Sequence, residues 1–137
     1  MLHWGSRPGS SCWAELFGTG RGGSRSRWGI LTAPSEATNL RECLPTLLDQ
    51  DLGEGELEVI VVDDRSTDET WEVLQEFDCD VLRPVRGEPL PEGWSGKNWA
   101  AHQGYQRANH DWVLFTDADV AFGDDVLRAA LSRAELD

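Results

Sequence analysis

Four aspartates stand in two clusters, each directly after an apolar segment. Asp63 and Asp64 form the first cluster, and Asp117 and Asp119 form the second. In an open α/β sheet ligands bind beyond the carboxyl ends of the parallel strands, so both clusters should face one crevice. A single aspartate at a strand end commonly accepts backbone N–H bonds in the turn. Two clusters at one edge instead favour a ligand site.

Asp117 and Asp119, one residue apart, suit a hard divalent cation. Mg²⁺ is typically held by one or two carboxylates, with substrate phosphate oxygens among its other ligands. Such a cation neutralises the charge of a diphosphate leaving group as its bond breaks. Lys97 adds a point charge that can meet a phosphate. It is the single lysine among 12 basic residues, although an ordinary solvated side chain is the simpler alternative.

The segment around Lys97 is too rich in proline, glycine and tryptophan for a plain linker. It reads RGEPLPEGWSGKNWA. Trp94 and Trp99 have two interpretations: they wall a sugar pocket, or they are core aromatics beneath a loop.

The elements that must position these residues alternate between strands and helices. Alternation of this kind predicts βαβ units and a largely parallel sheet. Ser66 and Glu69 have the spacing of a capping box at the start of a helix, and Pro45 should kink or divide another. We predict a short strand ending at 30–31, further strands at 57–62, 79–83 and 112–116, helices at 36–50, 66–77 and 97–108, a loop at 84–96, and a last helix capped by Asp124.

Length and composition limit the classes of protein. A chain of 137 residues fits one domain, and its net charge of −13 argues against nucleic acid as a partner. Three scattered cysteines argue against a disulfide framework or a zinc site. No apolar run reaches the roughly 20 residues that span a bilayer, and the first residues lack a signal-peptide core. We therefore expect a cytoplasmic chain without a membrane segment.

The first residues differ in composition from the rest. Residues 1–34 carry a net charge of +3, which leaves −16 for the remainder. Residues 1–28 show neither helical nor strand periodicity, and glycine, serine and arginine dominate them. We expect a disordered or non-native extension over 1–28 and a single domain over 29–137.

Three segments together resemble the family 2 glycosyltransferases, and in particular the hopene- and carotenoid-associated members. They are VIVVDDRSTDET, GEPLPEGWSGKNWAAHQGYQRA and WVLFTDADVAF. The resemblance covers about residues 30–135. It implies a three-layer, Rossmann-like GT-A fold with a mostly parallel sheet, of which this chain would hold the N-terminal, nucleotide-sugar-binding half.

The resemblance also implies roles for individual residues. Asp64 resembles the carboxylate that contacts the nucleotide base, with Asp63 beside it. Asp119 resembles the metal-binding end of the family's DxD motif, Asp117 its ribose- or metal-facing start, and Lys97 the lysine near the diphosphate. The cofactor implied is Mg²⁺ or Mn²⁺, and the donor is a nucleotide-diphosphate sugar, of UDP type, whose sugar passes to an acceptor hydroxyl with inversion.

The segment TAPSEATNLRECLPTLL resembles the family's first strand-to-helix turn. Glu36 and Ala37 match that turn, so Glu36 joins the predicted nucleotide-binding residues. Thr32, Pro34 and Ser35 depart from it.

Parts of the family pattern have no counterpart in this sequence. The general base that follows the DxD motif and the acceptor-binding half are missing, so the chain itself has no predicted catalytic residue. We expect an inactive chain that folds marginally or self-associates, with an exposed, unpaired edge or exposed apolar faces at strand 112–116. An intact parent would lie at the cytoplasmic face of the membrane.

Three other interpretations stay open. VLFTDADV resembles the first motif of haloacid dehalogenase-type phosphatases, with Asp117 as nucleophile and Asp119 as acid/base, but few residues follow it. VIVVDD resembles a response-regulator acidic pocket, which needs a further acid and a lysine on later strands. A non-catalytic nucleotide-binding remnant or pseudogene product is the third.

Overall fold

The structure is a computed structural model that contains six strands and four helices in the part of the chain it describes. It describes residues 2–4, 14–18, 27–32, 37–51, 56–77, 79–108, 112–117 and 121–136. The strands are β1 (Leu2–Trp4), β2 (Ala14–Gly18), β3 (Arg27–Thr32), β4 (Glu56–Asp63), β5 (Leu82–Arg86) and β6 (Trp112–Phe115). The helices are α1 (Ala37–Leu48), α2 (Thr70–Glu76), α3 (Gly96–Arg107) and α4 (Val126–Leu136).

One sheet joins the six strands in the order β1-β2-β6-β3-β4-β5. Strands β6, β3, β4 and β5 are parallel to one another, whereas β1 pairs antiparallel with β2 and β2 pairs antiparallel with β6. The predicted parallel core is therefore confirmed. The exposed edge expected at β6 is wrong, because β2 and β3 pair with its two sides.

The prediction for residues 1–28 can be compared with only part of that range. Strands β1 and β2 lie within it and β3 begins there, so these segments take part in the sheet. The remaining positions fall outside the described residues. The boundary between an extension and the domain at 29–137 stays a prediction.

Helices cover both faces of the sheet. Successive residues of β4 point to opposite faces: Val59 and Val61 pack in a core cluster with α1, α2 and α4, whereas Ile60 and Val62 pack with Ala100 of α3. All four β4 residues are fully buried. A strand buried on both faces is typical of a parallel sheet between two helical layers, so the predicted three-layer architecture is confirmed.

Helix α1 runs without interruption through Pro45, so of the predicted kink or division the division is wrong. Leu40, Leu44 and Leu47 are buried at helical spacing against the sheet. Packing of this apolar face compensates for the hydrogen bond that a proline cannot donate.

Strand β5 begins three residues later than predicted and includes Pro84, which we placed in the following loop. Leu82 lies opposite Val59 of β4, and Arg86 lies opposite Asp63. The strand tolerates proline because β5 is at the edge of the sheet.

The predicted capping box of Ser66 and Glu69 is also wrong. Helix α2 begins at Thr70, and Glu69 at its N-cap position makes no side-chain capping bond. Asp68 takes this role, since its Oδ1 accepts from the Thr70 N–H at 3.0 Å and its Oδ2 accepts from the Ala37 N–H at 3.1 Å. One carboxylate therefore joins the starts of α1 and α2.

The segment before α4 is fastened to the end of α1 that lies away from the acid clusters. Gln50 Nε2 donates to the Gly123 carbonyl at 2.8 Å, and Gln50 Oε1 accepts from the Leu127 N–H at 3.1 Å. Thr46 Oγ1 accepts from the Phe122 N–H at 2.9 Å.

Among the described residues no helix is both long and apolar enough to span a bilayer.

Candidate functional site

The structure brings the first acid cluster and part of the second to one edge of the sheet. Asp63 ends β4 and Asp64 follows it, while Asp117 lies two residues after the end of β6. Both strands are parallel to β3, which lies between them, so their carboxyl ends face the same way. Of the other predicted site residues, Glu36 and Asp119 lie outside the described residues.

Asp63 is fully buried and holds the turn after β4. Its Oδ1 accepts from the Ser66 N–H at 3.0 Å, and its carbonyl oxygen accepts from the Gly87 N–H at 2.7 Å. Arg65 in this turn has a φ of 53°, a left-handed conformation that is uncommon for a residue other than glycine. Asp63 thus fixes the backbone that carries Asp64.

The half-buried Asp64 lies against the first residue of α3. A Cβ atom placed on Gly96 would be 3.2 Å from Asp64 Oδ2. The start of a helix favours a carboxylate, because unpaired backbone N–H groups give it partial positive charge. Asp64 Oδ1 is buried and accepts no hydrogen bond in the described part of the chain. It has the capacity to accept one from a ligand N–H group.

Lys97 reaches from the first turn of α3 to the second acid cluster. Its Nζ lies 2.9 Å from Asp117 Oδ1, with 53% of the lysine and 23% of the aspartate side chain exposed. Exposed ion pairs of this kind contribute about 0–1 kcal/mol, so a ligand can exchange one partner at little cost. The structure therefore places the lysine predicted for the diphosphate beside the aspartate predicted for the metal.

A complete metal centre is not visible in the described residues, which contain no group of three or more histidine, cysteine, aspartate or glutamate side chains. Asp117 supplies a carboxylate at the expected edge. Mg²⁺ commonly takes only one or two protein carboxylates and completes its shell with phosphate oxygens and water. The donor chemistry of Asp117 fits such an ion.

The loop between β5 and α3 is supported by aromatic side chains. Trp94, Trp99 and His102 contact one another, with ring centroids 5.0 to 5.7 Å apart. The Trp99 indole N–H donates to the Glu88 carbonyl at 3.1 Å, so Trp99 holds the loop. Trp94 is 41% exposed and closes the cluster from outside.

Sequence reasoning missed three residues that shape this edge. The Gly87 N–H donates to the Asp63 carbonyl, the Glu88 N–H donates to Gln103 Oε1 of α3 at 2.7 Å, and the Glu88 carbonyl accepts from the Trp99 indole N–H. A glycine directly after a strand is the one sequence signal that could have drawn attention to this contact.

The family profile described as glycosyl transferase family 2 matches residues 30–137 of this chain. This range includes β4, α3, β6 and both acid clusters. It covers more than half of the sequence.

Relatives and solved structures agree with that match. The 4,4'-diaponeurosporenoate glycosyltransferase of Staphylococcus aureus is 32% identical over 68% of this chain, which spans 24% of that protein. The mannosyltransferase PcManGT from Pyrobaculum calidifontis, solved with GDP-Man and Mn²⁺, is 30% identical with a TM-score of 0.66, over 78% of this chain and 32% of that one.

S. aureus TarS 1–349, solved with UDP-GlcNAc, also has a TM-score of 0.66, at 24% identity, over 80% of this chain and 31% of that one. The chain thus spans about a quarter of the curated relative and about a third of each solved structure. The sheet order, the carboxylates at its edge and the profile match over residues 30–137 lead to one conclusion: this chain belongs to glycosyl transferase family 2.

Proposed function

We propose that this chain is the donor-binding part of a glycosyltransferase that moves a sugar from a nucleotide-diphosphate sugar to an acceptor hydroxyl with inversion. The observation that carries the proposal is the arrangement at one sheet edge. Asp64 offers there a buried acceptor oxygen to which no described residue donates, and the Lys97–Asp117 pair lies at the same edge. A nucleotide diphosphate has matching groups, namely base N–H donors and a charged diphosphate.

Asp64 is the proposed contact for the base of the nucleotide. Its Oδ1 would gain the hydrogen bond that no described residue donates to it. A buried polar atom without a partner costs on the order of 1–3 kcal/mol, which a ligand donor would recover. Asp63 supports this contact from within, and Glu36 is proposed as a further donor-site residue. We propose a UDP-type donor.

Asp117 and Asp119 are the proposed holders of Mg²⁺ or Mn²⁺. When bound, the ion would neutralise charge on the diphosphate leaving group. Lys97 then has to leave Asp117 Oδ1 and turn to the diphosphate, an exchange that its weak, exposed ion pair permits. The family match supports a donor-site role for the Asp117 segment over that of a phosphatase nucleophile.

Two further expectations remain part of the proposal. We place donor binding in the domain at 29–137 and the chain in the cytoplasm, as the sequence predicts. In the alternative, the chain is a catalytically inactive remnant that binds the donor without transferring its sugar. Such a remnant would use the same residues. Transfer itself would be tested on a full-length relative with a panel of nucleotide sugars.

Calorimetry tests the donor site directly. UDP and GDP would each be titrated into the 137-residue chain with Mn²⁺ and with EDTA. We expect metal-dependent binding of UDP in preference to GDP, about tenfold weaker in Asp64→Ala and without metal dependence in Asp117→Ala. Asp80→Ala is the matched control, since Asp80 is an exposed aspartate just before β5, at the opposite edge. Equal binding by all four proteins would reject the proposed site.

A further inference from the structure

In the loop from β5 to α3, both backbone groups of Glu88 are hydrogen-bonded. Its backbone N–H donates to Gln103 Oε1 at 2.7 Å, and its carbonyl accepts from the Trp99 indole N–H at 3.1 Å. Both partners are side chains of α3. The two backbone groups of a single loop residue are therefore held by the helix that also carries Lys97.

Gly87, the residue before Glu88, lies close to the backbone of both aspartates of the first cluster. Gly87 donates its N–H to the Asp63 carbonyl at 2.7 Å. A Cβ atom placed on Gly87 would lie 2.9 Å from that oxygen and 3.2 Å from the Asp64 Cα. Gly87 therefore links Glu88 to the backbone that carries Asp64.

Asp64 also lies against the other end of the loop. Gly96, where α3 begins, approaches Asp64 Oδ2. The distance between Glu88 and α3 consequently sets how Asp64 lies between the end of β5 and the start of α3. Gln103 determines that distance because it bonds Glu88 from within the helix.

Gln103 is 2% exposed, which is unusual for a primary amide. Burying an amide is unfavourable unless its polar atoms are bonded. Gln103 uses Oε1 for Glu88, and its Nε2 donates to the Trp99 carbonyl at 3.4 Å. The other buried residues of α3 are Ala100 and Gly104, both of them small. An apolar residue at 103 would pack there equally well but could not hold the loop.

We propose that Gln103 is a positioning residue that sets Asp64 against the start of α3 and thereby sets the affinity for the base of the donor nucleotide. The proposal rests on the donor-binding function proposed above. It predicts an effect on the base alone, because no hydrogen bond recorded between described residues joins Lys97 or Asp117, the proposed diphosphate and metal residues, to Gln103 or to Glu88.

The test compares nucleotides with inorganic pyrophosphate, a probe that has no base. The 137-residue chain, Gln103→Leu and Gln103→Glu would be titrated with UDP, GDP and pyrophosphate in Mn²⁺. Gln103→Leu should weaken binding of the preferred nucleotide roughly three- to tenfold, the effect of one hydrogen bond, and change pyrophosphate binding less than about twofold. Gln103→Glu keeps the acceptor for Glu88 and should restore nucleotide affinity.

Gln50→Leu is the structural control. Gln50 is also a buried glutamine with both amide atoms bonded, but it lies at the far end of α1. It should lower the melting temperature without changing nucleotide affinity. If Gln103→Leu does not fold, Trp99→Phe, which removes only the indole N–H bond to Glu88, should give a smaller loss in the same direction.

Equal loss of nucleotide and pyrophosphate affinity in Gln103→Leu, or equal effects of Gln103→Leu and Gln50→Leu, would overturn the positioning role. Unchanged nucleotide affinity in both Gln103→Leu and Trp99→Phe would also overturn it. If the unmodified chain binds neither UDP nor GDP, the proposed function fails first and the inference fails with it. The two failures are therefore distinguishable.

Discussion

Lys97 is the residue whose partner must change when a donor binds. In the structure it neutralises Asp117, and with a donor present it is proposed to meet the diphosphate. Lys97→Ala should lower the affinity for the preferred nucleotide with Mn²⁺ on the order of tenfold, since hydrogen bonds to charged groups contribute about 1.5–3 kcal/mol. Lys97→Arg keeps the charge and should lose less. Calorimetric affinities that are the same for all three proteins would contradict the exchange.

Gly87 should tolerate no side chain. A Cβ atom at this position meets the backbone of Asp63 at 2.9 Å, and backbone cannot rotate away. Gly87→Ala should lower the free energy of unfolding in urea by about 1–3 kcal/mol, the usual cost of overpacking. The matched control is Gly123→Ala, where the nearest atom is a flexible Val126 methyl 3.7 Å away. A Gly87→Ala protein as stable as Gly123→Ala would disprove the close contact.

The sequence predicted the edge location of Asp63, Asp64 and Asp117 because strand ends can be located from apolar runs. It did not separate Asp63 from Asp64, since adjacent carboxylates have the same chemistry and only the turn decides which one is buried. It left Trp99 as a pocket wall or a core residue. The bond to Glu88 shows that Trp99 supports the loop, a long-range contact that spacing does not encode.

At the scale of elements, the starts of α1 and α2 share the Asp68 carboxylate. The pKa of Asp68 is lowered, first by the Thr70 side-chain hydrogen bond and then by the backbone N–H groups of Ala37 and Thr70. A carboxyl group with a lowered folded-state pKa stabilises the fold above its unfolded pKa of about 3.9, and this contribution disappears as pH falls through the folded value.

Acid denaturation should therefore occur at a lower pH in the unmodified chain than in a variant without the Asp68 charge. Asp68→Asn removes the charge and should have a lower free energy of unfolding than the unmodified chain at pH 7. The difference in free energy between the two proteins should narrow below about pH 4. Circular dichroism during urea titrations at pH 7 and pH 3 measures it. A difference between the two proteins that stays constant over this range would contradict the role of the Asp68 charge.

Two of the element-level predictions that failed concern the capping box and the end of β5. Ser66 and Glu69 match the capping-box spacing, but the Ser66 N–H is bonded to Asp63, and Asp68 bonds the Thr70 N–H at the start of α2. Proline usually ends a strand, because it has no N–H to donate to a neighbouring strand. Pro84 is tolerated because β5 lies at the edge of the described sheet. Periodicity located the elements, while competition for hydrogen bonds and position in the sheet set their boundaries.

At the scale of the whole molecule, a chain with a net charge of −13 is proposed to bind an anionic nucleotide. Binding must therefore depend on local cations, of which the structure shows Lys97 at the edge of the sheet and to which the proposal adds Mg²⁺ or Mn²⁺. The central claim is that the donor and its metal share this one edge.

Paramagnetic broadening by Mn²⁺ in amide NMR spectra tests that claim most directly. With the preferred nucleotide present, replacing Mg²⁺ by Mn²⁺ should broaden signals from residues 63–66, 87–88, 95–98 and 116–117. Signals from 57–58 should broaden much less, because strand β4 rises about 3.3 Å per residue and places its start some 20 Å from Asp64. Signals from Gln50, beyond the far end of α1, should also broaden much less. Broadening at the start of β4 as strong as at residues 63–66, or equal broadening over the whole sheet, would contradict a donor site at the carboxyl edge.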